Sequence, residues 1–366
     1  MKRYLDLDIE DKFFQLLQTA VGRSSNNKFV LSDEEWIAIH RMAYEQSLLS
    51  VVLNAADVVT KVGQKPPVPL LLTWIGESEE IRRTSGIMDG HCEQLTAWFR
   101  NVGYPCCIIK GQGVARLYPH PEYRQAGDID IWVDAPRDEV VNRMRSDCLG
   151  VTYVDYVNCH SEFFTDTEVE VHFRPTWMFN PFTNRKVQKW IRDNKDAQMA
   201  NYDKDVGFSY PTIGFNLVFS LIHIYRHVFF EGIGLRQLMD YYFILSHSTV
   251  DERKEAFSTL LLFGLGKFVA TIMYIMRRVF NIEESLLLCA PNEKEGVFLL
   301  DEILRGGNFG HFDNRNTYVP EDKKIKRGLN NAKRNLRFLK RYPSEVIWMP
   351  AWKSWHWCWR KSKGYL

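Results

Sequence analysis

The sequence lacks several features that would place it quickly in a class of protein. Its seven cysteines are odd in number and scattered, and none forms a C-x-x-C pair. Neither a disulfide framework nor a zinc ribbon is therefore predicted. Lys and Arg number 47 against 45 Asp and Glu, a formal charge of +2. This near balance gives no global signature of binding to nucleic acid or to an acidic membrane.

Long hydrophobic runs are also missing. Apolar stretches such as residues 69–75 and 260–266 are far shorter than the roughly 20 residues that cross a bilayer. The first residues place acids directly after Lys2 and Arg3 and lack the apolar segment of a signal peptide. We therefore expect a cytoplasmic protein with reduced cysteines and no membrane span.

The most informative stretch that is present is residues 127–133, which read Gly-Asp-Ile-Asp-Ile-Trp-Val. Residues i and i+2 of a strand share a face, so Asp128 and Asp130 should point one way while Ile129 and Ile131 point into the protein. Asp is uncommon in strands, and two aligned carboxylates suit Mg²⁺, which takes oxygen ligands. The pattern predicts a metal site for phosphoryl chemistry, although a solvated edge strand alternates in the same way.

A change in predicted secondary structure divides the chain into three regions. Residues 1–103 and 211–366 read as helical, and residues 104–210 between them read as a mixture of strands and helices. The expected fold class is therefore α+β, in which a mixed sheet with helices is flanked by N-terminal and C-terminal helical regions.

Helical signals are clear in both outer regions. A capping box of Ser32 and Glu35 should begin a helix that runs to about Val59. A second helix is expected over residues 71–102, ended by Gly103. The helices expected after residue 211 are 215–230, 235–246, 256–280, 295–304 and 323–339.

Tryptophans and basic residues crowd the last part of the chain. Trp352, Trp355 and Trp359 follow helical spacing. Such a stripe is expected to dock a terminal helix onto the body of the protein. Binding of nucleic acid or of a membrane surface is the alternative interpretation.

The middle region contains the predicted sheet. Its strands are expected at residues 106–109, 128–133, 152–157, 162–165 and 168–173, with a turn at 110–113 and a helix over 137–148. Glu170, which alternates with Val169 and Val171, is the best candidate for a third acid, and Glu168 is the fallback. Two-metal nucleotidyl transfer requires three acids. Two of them hold the metals near the triphosphate, and the third helps to deprotonate the attacking hydroxyl.

The turn after the first strand is a candidate phosphate site. It reads Lys110-Gly111-Gln112-Gly113, and exposed backbone N–H groups with an ammonium can bind anions. Arg124, in the loop that enters the acidic strand, is a second candidate for contact with the nucleotide. Lys110 and Arg124 could equally be ordinary surface charges. Arg124 could also form an ion pair with Asp128 or Asp130.

Five further residues could line the substrate cleft. His172 shares a strand face with Glu170 and either contacts substrate or covers the sheet. His223 and His227 are four residues apart on a predicted helix, a spacing that can share a metal, but the zincin motif is absent because no Glu follows His223. Arg236 and Asp240 have the same spacing. We interpret these four residues as a polar wall or a structural network.

Taken together, these residues resemble the uncharacterised nucleotidyltransferase family of the polymerase-β-like nucleotidyltransferase superfamily. The resemblance covers about residues 30–345 and rests on Ile108-Ile109-Lys110-Gly111, Ala115-Arg116-Leu117-Tyr118-Pro119, Arg124, Gly127-Asp128-Ile129-Asp130, Glu170-Val171-His172, His223, His227, Arg236 and Asp240. It implies a minimal nucleotidyltransferase fold with its core in residues 104–210, Mg²⁺ (or Mn²⁺), and a nucleoside triphosphate such as ATP. The turn at 110–113 departs from the superfamily, whose turn has Gly followed by Gly or Ser.

The expected function is transfer of a nucleoside monophosphate from a nucleoside triphosphate to an acceptor, with release of pyrophosphate. The sequence does not identify the acceptor, which in such enzymes is a small molecule, a sugar, a protein or RNA. One alternative is a catalytically silent module that binds nucleotide and cation. The other is a metal-dependent hydrolase built on His223, His227 and Asp240.

Overall fold

A computed structural model describes residues 7–23, 31–60, 65–315 and 333–365. Within them a five-stranded mixed sheet is surrounded by helices, which confirms the α+β class. The strands are β1 (Cys106–Ile109), β2 (Ile129–Val133), β3 (Val151–Val154), β4 (Asn158–Ser161), β5 (Val169–His172), β6 (Tyr202–Asp203) and β7 (Phe208–Ser209). The α-helices are α1 (Leu7–Ala20), α2 (Asp33–Glu45), α3 (Leu49–Thr60), α4 (Val68–Asn101), α5 (Gly111–Ala115), α6 (Arg137–Ser146), α7 (Pro181–Ala200), α8 (Ile213–Phe230), α9 (Leu235–Ser246), α10 (Val250–Leu262), α11 (Gly266–Phe280), α12 (Glu293–Gly306) and α13 (Pro343–Ser362).

The large sheet has the strand order β1-β2-β5-β4-β3. Its central pair, β2 and β5, is parallel, whereas the other neighbouring pairs are antiparallel. The register places Asp130 opposite Glu170 and Trp132 opposite His172. Residues far apart in the chain are thus brought side by side at the middle of the sheet.

The two faces of the sheet pack against different helices. Ile129 and Ile131 lie in a hydrophobic cluster with the C-terminal half of α4 and with α6, as the alternation predicted. Trp132 belongs to the other cluster, and its ring stacks on Phe215 of α8 at 5.8 Å. Because Asp130 shares a strand face with Trp132, Asp130 is on the side covered by α8.

The hydrophobic clusters do not follow the three regions predicted from the sequence. The cluster on the α8 side combines apolar residues of α1 to α3 with those of α8 to α12. Helices from the first and the last region therefore share one core. The division at residues 103 and 210 stays a prediction.

Two predicted helices are each divided in the structure. The helix expected over residues 32–59 is split into α2 and α3, because Ser47 has φ 56° and the buried Gln46 accepts a hydrogen bond from the Leu235 N–H and donates one to the Ile303 carbonyl. The helix expected over 256–280 is split into α10 and α11 at Gly264, whose φ is 74°. The capping box at Ser32 is confirmed.

Other differences concern the middle and the end of the chain. The strand predicted at residues 162–165 is wrong, since β4 ends at Ser161 and the ring of Phe164 instead stacks on His91 of α4 at 3.7 Å. Helix α7 was not predicted, although Asn180 caps it and Pro181 opens it. Of the helix predicted over 323–339, residues 323–332 lie outside the described residues, and 333–336 are helical.

The terminal tryptophans dock α13 onto the body, as predicted. Trp352 stacks on Trp177 with ring centroids 4.0 Å apart, and Trp355 packs edge-on against Tyr156 at 5.0 Å. In the described part of the chain, α8 is the helix long and apolar enough by composition to cross a membrane, and 61% of its apolar window is buried inside the protein.

Candidate active site

Three side chains converge where β2 and β5 lie side by side. Asp130 is 4% exposed, and the Nε2 atom of His172 is 2.7 Å from Asp130 Oδ1 and 3.2 Å from Glu170 Oε2. One potential ligand atom of each residue lies within 4.8 Å of the others. Among the described residues, this is the group of three or more side chains that could hold a metal ion. Asp128 directly precedes β2 and lies outside this group.

Lys110 brings a positive charge to these acids. Its Nζ atom is 2.5 Å from Asp130 Oδ1. Burial would lower the pKa of Lys110, but the charges of Asp130, Glu170 and Asp128 raise it above its usual value. Its backbone has φ 58° and ψ −142°, a conformation that residues with a Cβ rarely adopt. Strain of this kind is held by surrounding structure and is common at functional sites.

The acids respond differently to their surroundings. Burial, reinforced by the charge of Asp130, raises the pKa of Asp128 to about 6. Burial would also raise the pKa of Glu170, but its hydrogen bond to His172 and the charges of His172 and Lys110 lower it below the usual value. Burial therefore outweighs the nearby positive charges at Asp128, whereas the positive charges outweigh burial at Glu170.

His172 is held in its charged form. Burial would lower its pKa, but hydrogen bonds to Asp130 and Glu170 raise it to about 9. At neutral pH the imidazolium donates to the carboxylates and neutralises part of their charge. Lys110 and His172 thus bring two positive charges to Asp130 and Glu170.

Strand β4 supplies two neighbours of Glu170 that were not predicted. Asn158 Nδ2 donates to Glu170 Oε2 at 2.6 Å, and His160 Nε2 is 3.6 Å from Glu170 Oε1. Sequence reasoning missed both because it placed this strand four residues too late. The fallback acid Glu168 is 63% exposed, and its carboxylate contacts His160 Nδ1 at 2.8 Å.

Most of the turn predicted at residues 110–113 is instead the beginning of helix α5; phosphate binding there stays a prediction. Gln112 is 1% exposed, and its Nε2 donates to Asp89 Oδ1 of α4 at 2.6 Å, so its side chain faces away from the acids. A Cβ on Gly113 would lie 2.6 Å from the Ile108 carbonyl oxygen, which explains the glycine. Gly111, with φ 27°, passes close to the Asp128 carbonyl oxygen.

Arg124 pairs with a residue of α9 rather than with Asp128 or Asp130. Its Nε and Nη2 atoms each donate to a different carboxylate oxygen of Asp240 at 2.8 Å, and the Tyr118 hydroxyl donates to Asp240 at 2.7 Å. Arg236 Nη1 donates to the Gln125 carbonyl oxygen at 2.6 Å. These contacts tie the loop that precedes the acidic strand to α9.

We predict that Arg124→Met destabilises the protein by about 3–5 kcal/mol, because Asp240 would be left as a buried charge without its bidentate partner. The free energy of unfolding from urea denaturation measures this loss. Arg82→Met is the matched control, since Arg82 is exposed and pairs with Glu79 within α4. Unchanged stability with loss of nucleotide binding would instead make Arg124 a ligand-binding residue.

The two histidines of α8 lie near the acids but do not form a metal centre. Their rings are 4.2 Å apart, and His227 Nδ1 is 2.7 Å from Glu231 Oε1. Burial lowers the pKa of His223, and the charge of Lys110 lowers it further, so His223 is neutral and close to the lysine. Since Asp240 binds Arg124, the alternative site of His223, His227 and Asp240 is not formed in the described structure.

The structure places carboxylates of adjacent central strands next to a partly buried lysine, and such groups suit phosphoryl chemistry. The model of the family described as uncharacterised nucleotidyltransferase matches residues 32–281. The chain belongs to this family, which confirms the resemblance inferred from the sequence and supports nucleotidyl transfer as its general chemistry. No match was found among curated proteins.

Proposed function

We propose that the protein is a Mg²⁺-dependent nucleotidyltransferase that moves a nucleoside monophosphate from a nucleoside triphosphate to an acceptor hydroxyl or phosphate. The catalytic core would lie in residues 104–210 and have the minimal nucleotidyltransferase fold. The observation that carries the proposal is the pairing of Asp130 with Glu170 across parallel strands, with Asp128 two residues before Asp130. This arrangement gathers three carboxylates from two segments of the chain.

The chemistry of the donor groups fits a hard divalent cation. Carboxylate oxygens are the ligands that Mg²⁺ prefers. Burial and the charge of Asp130 raise the pKa of Asp128 to about 6, and a cation bound beside this carboxylate would favour its ionised form. Because His172 is protonated, we assign it to holding the carboxylates of Asp130 and Glu170 in place. When bound, Mg²⁺ (or Mn²⁺) would neutralise phosphate oxygens and make the α-phosphorus more electrophilic.

The three acids would have different roles. Asp128 and Asp130 would hold the cation, and Glu170 would complete the site. Since the pKa of Glu170 lies below its usual value, Glu170 would stay ionised and orient the acceptor hydroxyl by accepting its hydrogen bond. The acceptor oxygen would then form a bond to the α-phosphorus and lose its proton to solvent by way of Glu170, while the bond between the α-phosphorus and the β-phosphate oxygen breaks and releases pyrophosphate.

Cationic groups beside Asp128 and Asp130 would hold the triphosphate. Lys110 supplies an ammonium, and the backbone of Gly111 lies next to Asp128. Arg236 is 8% exposed, has no hydrogen-bond partner for its Nε among the described residues, and is close enough for the charge of Asp128 to influence its pKa. We therefore place the triphosphate on the Asp128 side of the acids.

The test is incubation of the purified protein with each α-³²P-labelled nucleoside triphosphate, Mg²⁺ and a cell extract, followed by separation of the labelled products. We expect label on an acceptor together with release of pyrophosphate, and neither product with Asp130→Asn. Binding of Mg²⁺ and ATP in a calorimeter without pyrophosphate release, under all four triphosphates, would identify a catalytically silent module instead.

A further inference from the structure

Arg226 of α8 is an arginine without an anionic partner. Its guanidinium lies 4.0 Å from the centroid of the Trp177 ring. Among the described residues it forms no ion pair, and its buried Nε has no hydrogen-bond partner. Arg124, in contrast, is paired in a bidentate manner. A buried donor that lacks an acceptor is costly, which points to a ligand that the chain itself does not supply.

His223 adds a second unpaired group on the same side of α8. It lies one turn before Arg226, and residues three apart are neighbours on a helix surface. Its Nδ1 atom is buried and has no hydrogen-bond partner in the described residues, whereas the neighbouring His227 contacts Glu231. Arg226 Nε and His223 Nδ1 are therefore two buried atoms on this side of α8 that lack a hydrogen-bond partner among the described residues.

Arg226 lies near enough to Glu170 for the charge of this acid to affect its pKa. Burial lowers the pKa of Arg226 to about 10, and the charges of Asp155, Glu231, Glu345 and Glu170 partly oppose this effect. None of these carboxylates forms an ion pair with it within the described ranges. For Arg236, burial and the charge of Arg124 lower the pKa, and the charges of Asp240 and Asp128 partly oppose them. Arg226 is therefore within reach of the charge of Glu170, and Arg236 is within reach of that of Asp128.

We propose that Arg226 and His223 form a binding site for an oxyanion of the acceptor, so that the acceptor carries a phosphate or carboxylate group. The prediction that an oxyanion binds here rests on Arg226 Nε and His223 Nδ1, which have no hydrogen-bond partner among the described residues. Its assignment to the acceptor rests on the proposed function, in which Glu170 orients the acceptor and the triphosphate occupies the Asp128 side. Arginine suits this task because its planar fork donates two parallel hydrogen bonds to an oxyanion.

The C-terminal helix holds Arg226 in place. Trp177, under the guanidinium, is buried and stacks on Trp352 of α13. Glu345, near the start of α13, accepts a hydrogen bond from the Phe179 N–H at 2.8 Å. Trp177 is therefore a positioning residue. Because Arg226 is already held in place, it would lose little side-chain entropy when it binds a ligand.

The experiment is calorimetric titration of the full chain with inorganic phosphate, alone and after saturation with Mg²⁺ and inorganic tripolyphosphate. Tripolyphosphate replaces the nucleoside triphosphate because the base preference is unknown. We expect phosphate to bind in both conditions and Arg226→Met to weaken its binding about tenfold or more. Arg226→Lys should weaken it less, since it keeps the charge but loses the fork. Arg82→Met is the control for a lost surface charge.

Three results would overturn the oxyanion site: no binding of phosphate to the wild type, equal binding by the Arg226→Met and Arg82→Met variants, or displacement of phosphate by Mg²⁺ and tripolyphosphate. Thermal unfolding of each variant ensures that a folded protein is compared. Failure of the proposed function is recognised separately. If Mg²⁺ and tripolyphosphate do not bind while phosphate still binds in an Arg226-dependent way, the nucleotidyltransferase proposal fails and the oxyanion site stands.

Discussion

Replacing Asp128 with asparagine is expected to abolish nucleotidyl transfer and, without Mg²⁺, to make the protein more stable. The expected loss of turnover is about 10³-fold or more, because removing a metal ligand forfeits several kcal/mol of charge stabilisation in the transition state. Steady-state assays of pyrophosphate release measure this loss. The asparagine has nearly the same shape as aspartate, so the effect reports on charge.

The gain in stability follows from the pKa of Asp128. Its folded-state pKa of about 6 exceeds its ordinary value of 3.8, so between these values the folded protein binds more protons than the unfolded chain. The contribution of Asp128 to the free energy of unfolding is fully present below pH 3.8 and is lost as the pH rises through 6. Above pH 6 the ionised carboxylate destabilises the fold by an amount on the order of 3 kcal/mol. Asparagine would remove this penalty.

Urea denaturation in EDTA at pH 5 and pH 7.5 measures the stability change. We expect Asp128→Asn to exceed the wild type by about 1–3 kcal/mol at pH 7.5 and by less at pH 5, where the wild-type carboxyl is mostly protonated. Asp166→Asn, on an exposed bend, is the control and should change little. A destabilised and inactive Asp128→Asn variant would show that Asp128 has a structural role and would count against the metal assignment.

The central part of the site could be predicted from the sequence because it depends on local order. Strand β1 has the predicted bounds, and β2 and β5 differ from prediction by one residue at their ends. The period of two then places Asp130 on one face and Ile131 on the other without any knowledge of the fold. Glu170 follows in the same way from the alternation of β5.

Contacts between distant segments could not be predicted in this way. Arg124 and Asp240 are 116 residues apart, and no local pattern identifies one as the partner of the other. The break between α2 and α3 likewise depends on hydrogen bonds of Gln46 to Leu235 and Ile303, which exist only after α9 and α12 have packed. Arg226 looked ordinary in sequence because the lack of a partner is a property of the folded chain.

The second large effect is expected at Lys110. Its ammonium is the closest positive charge to Asp130, and Lys110→Met would leave the acids with His172 as their nearest cation. Breaking a buried ion pair in this way destabilises proteins by about 3–5 kcal/mol. We expect that loss in EDTA and a substantial recovery of stability on addition of Mg²⁺, which would replace the missing charge and bind only the folded state. Turnover should fall about 10²-fold or more, since the triphosphate also loses the ammonium.

Lys110→Gly separates the backbone of this residue from its charge. Both variants lack the ammonium, but glycine adopts φ 58° without the penalty that a Cβ brings, which is about 1–3 kcal/mol for a strained residue. Glycine also gives the unfolded chain more freedom, so the net advantage over methionine should be about 1 kcal/mol. Urea denaturation of the two variants in EDTA measures the difference. If Lys110→Met is the more stable variant, the lysine conformation stores no strain, and if neither variant is stabilised by Mg²⁺, the acids of β2 and β5 do not form a cation site.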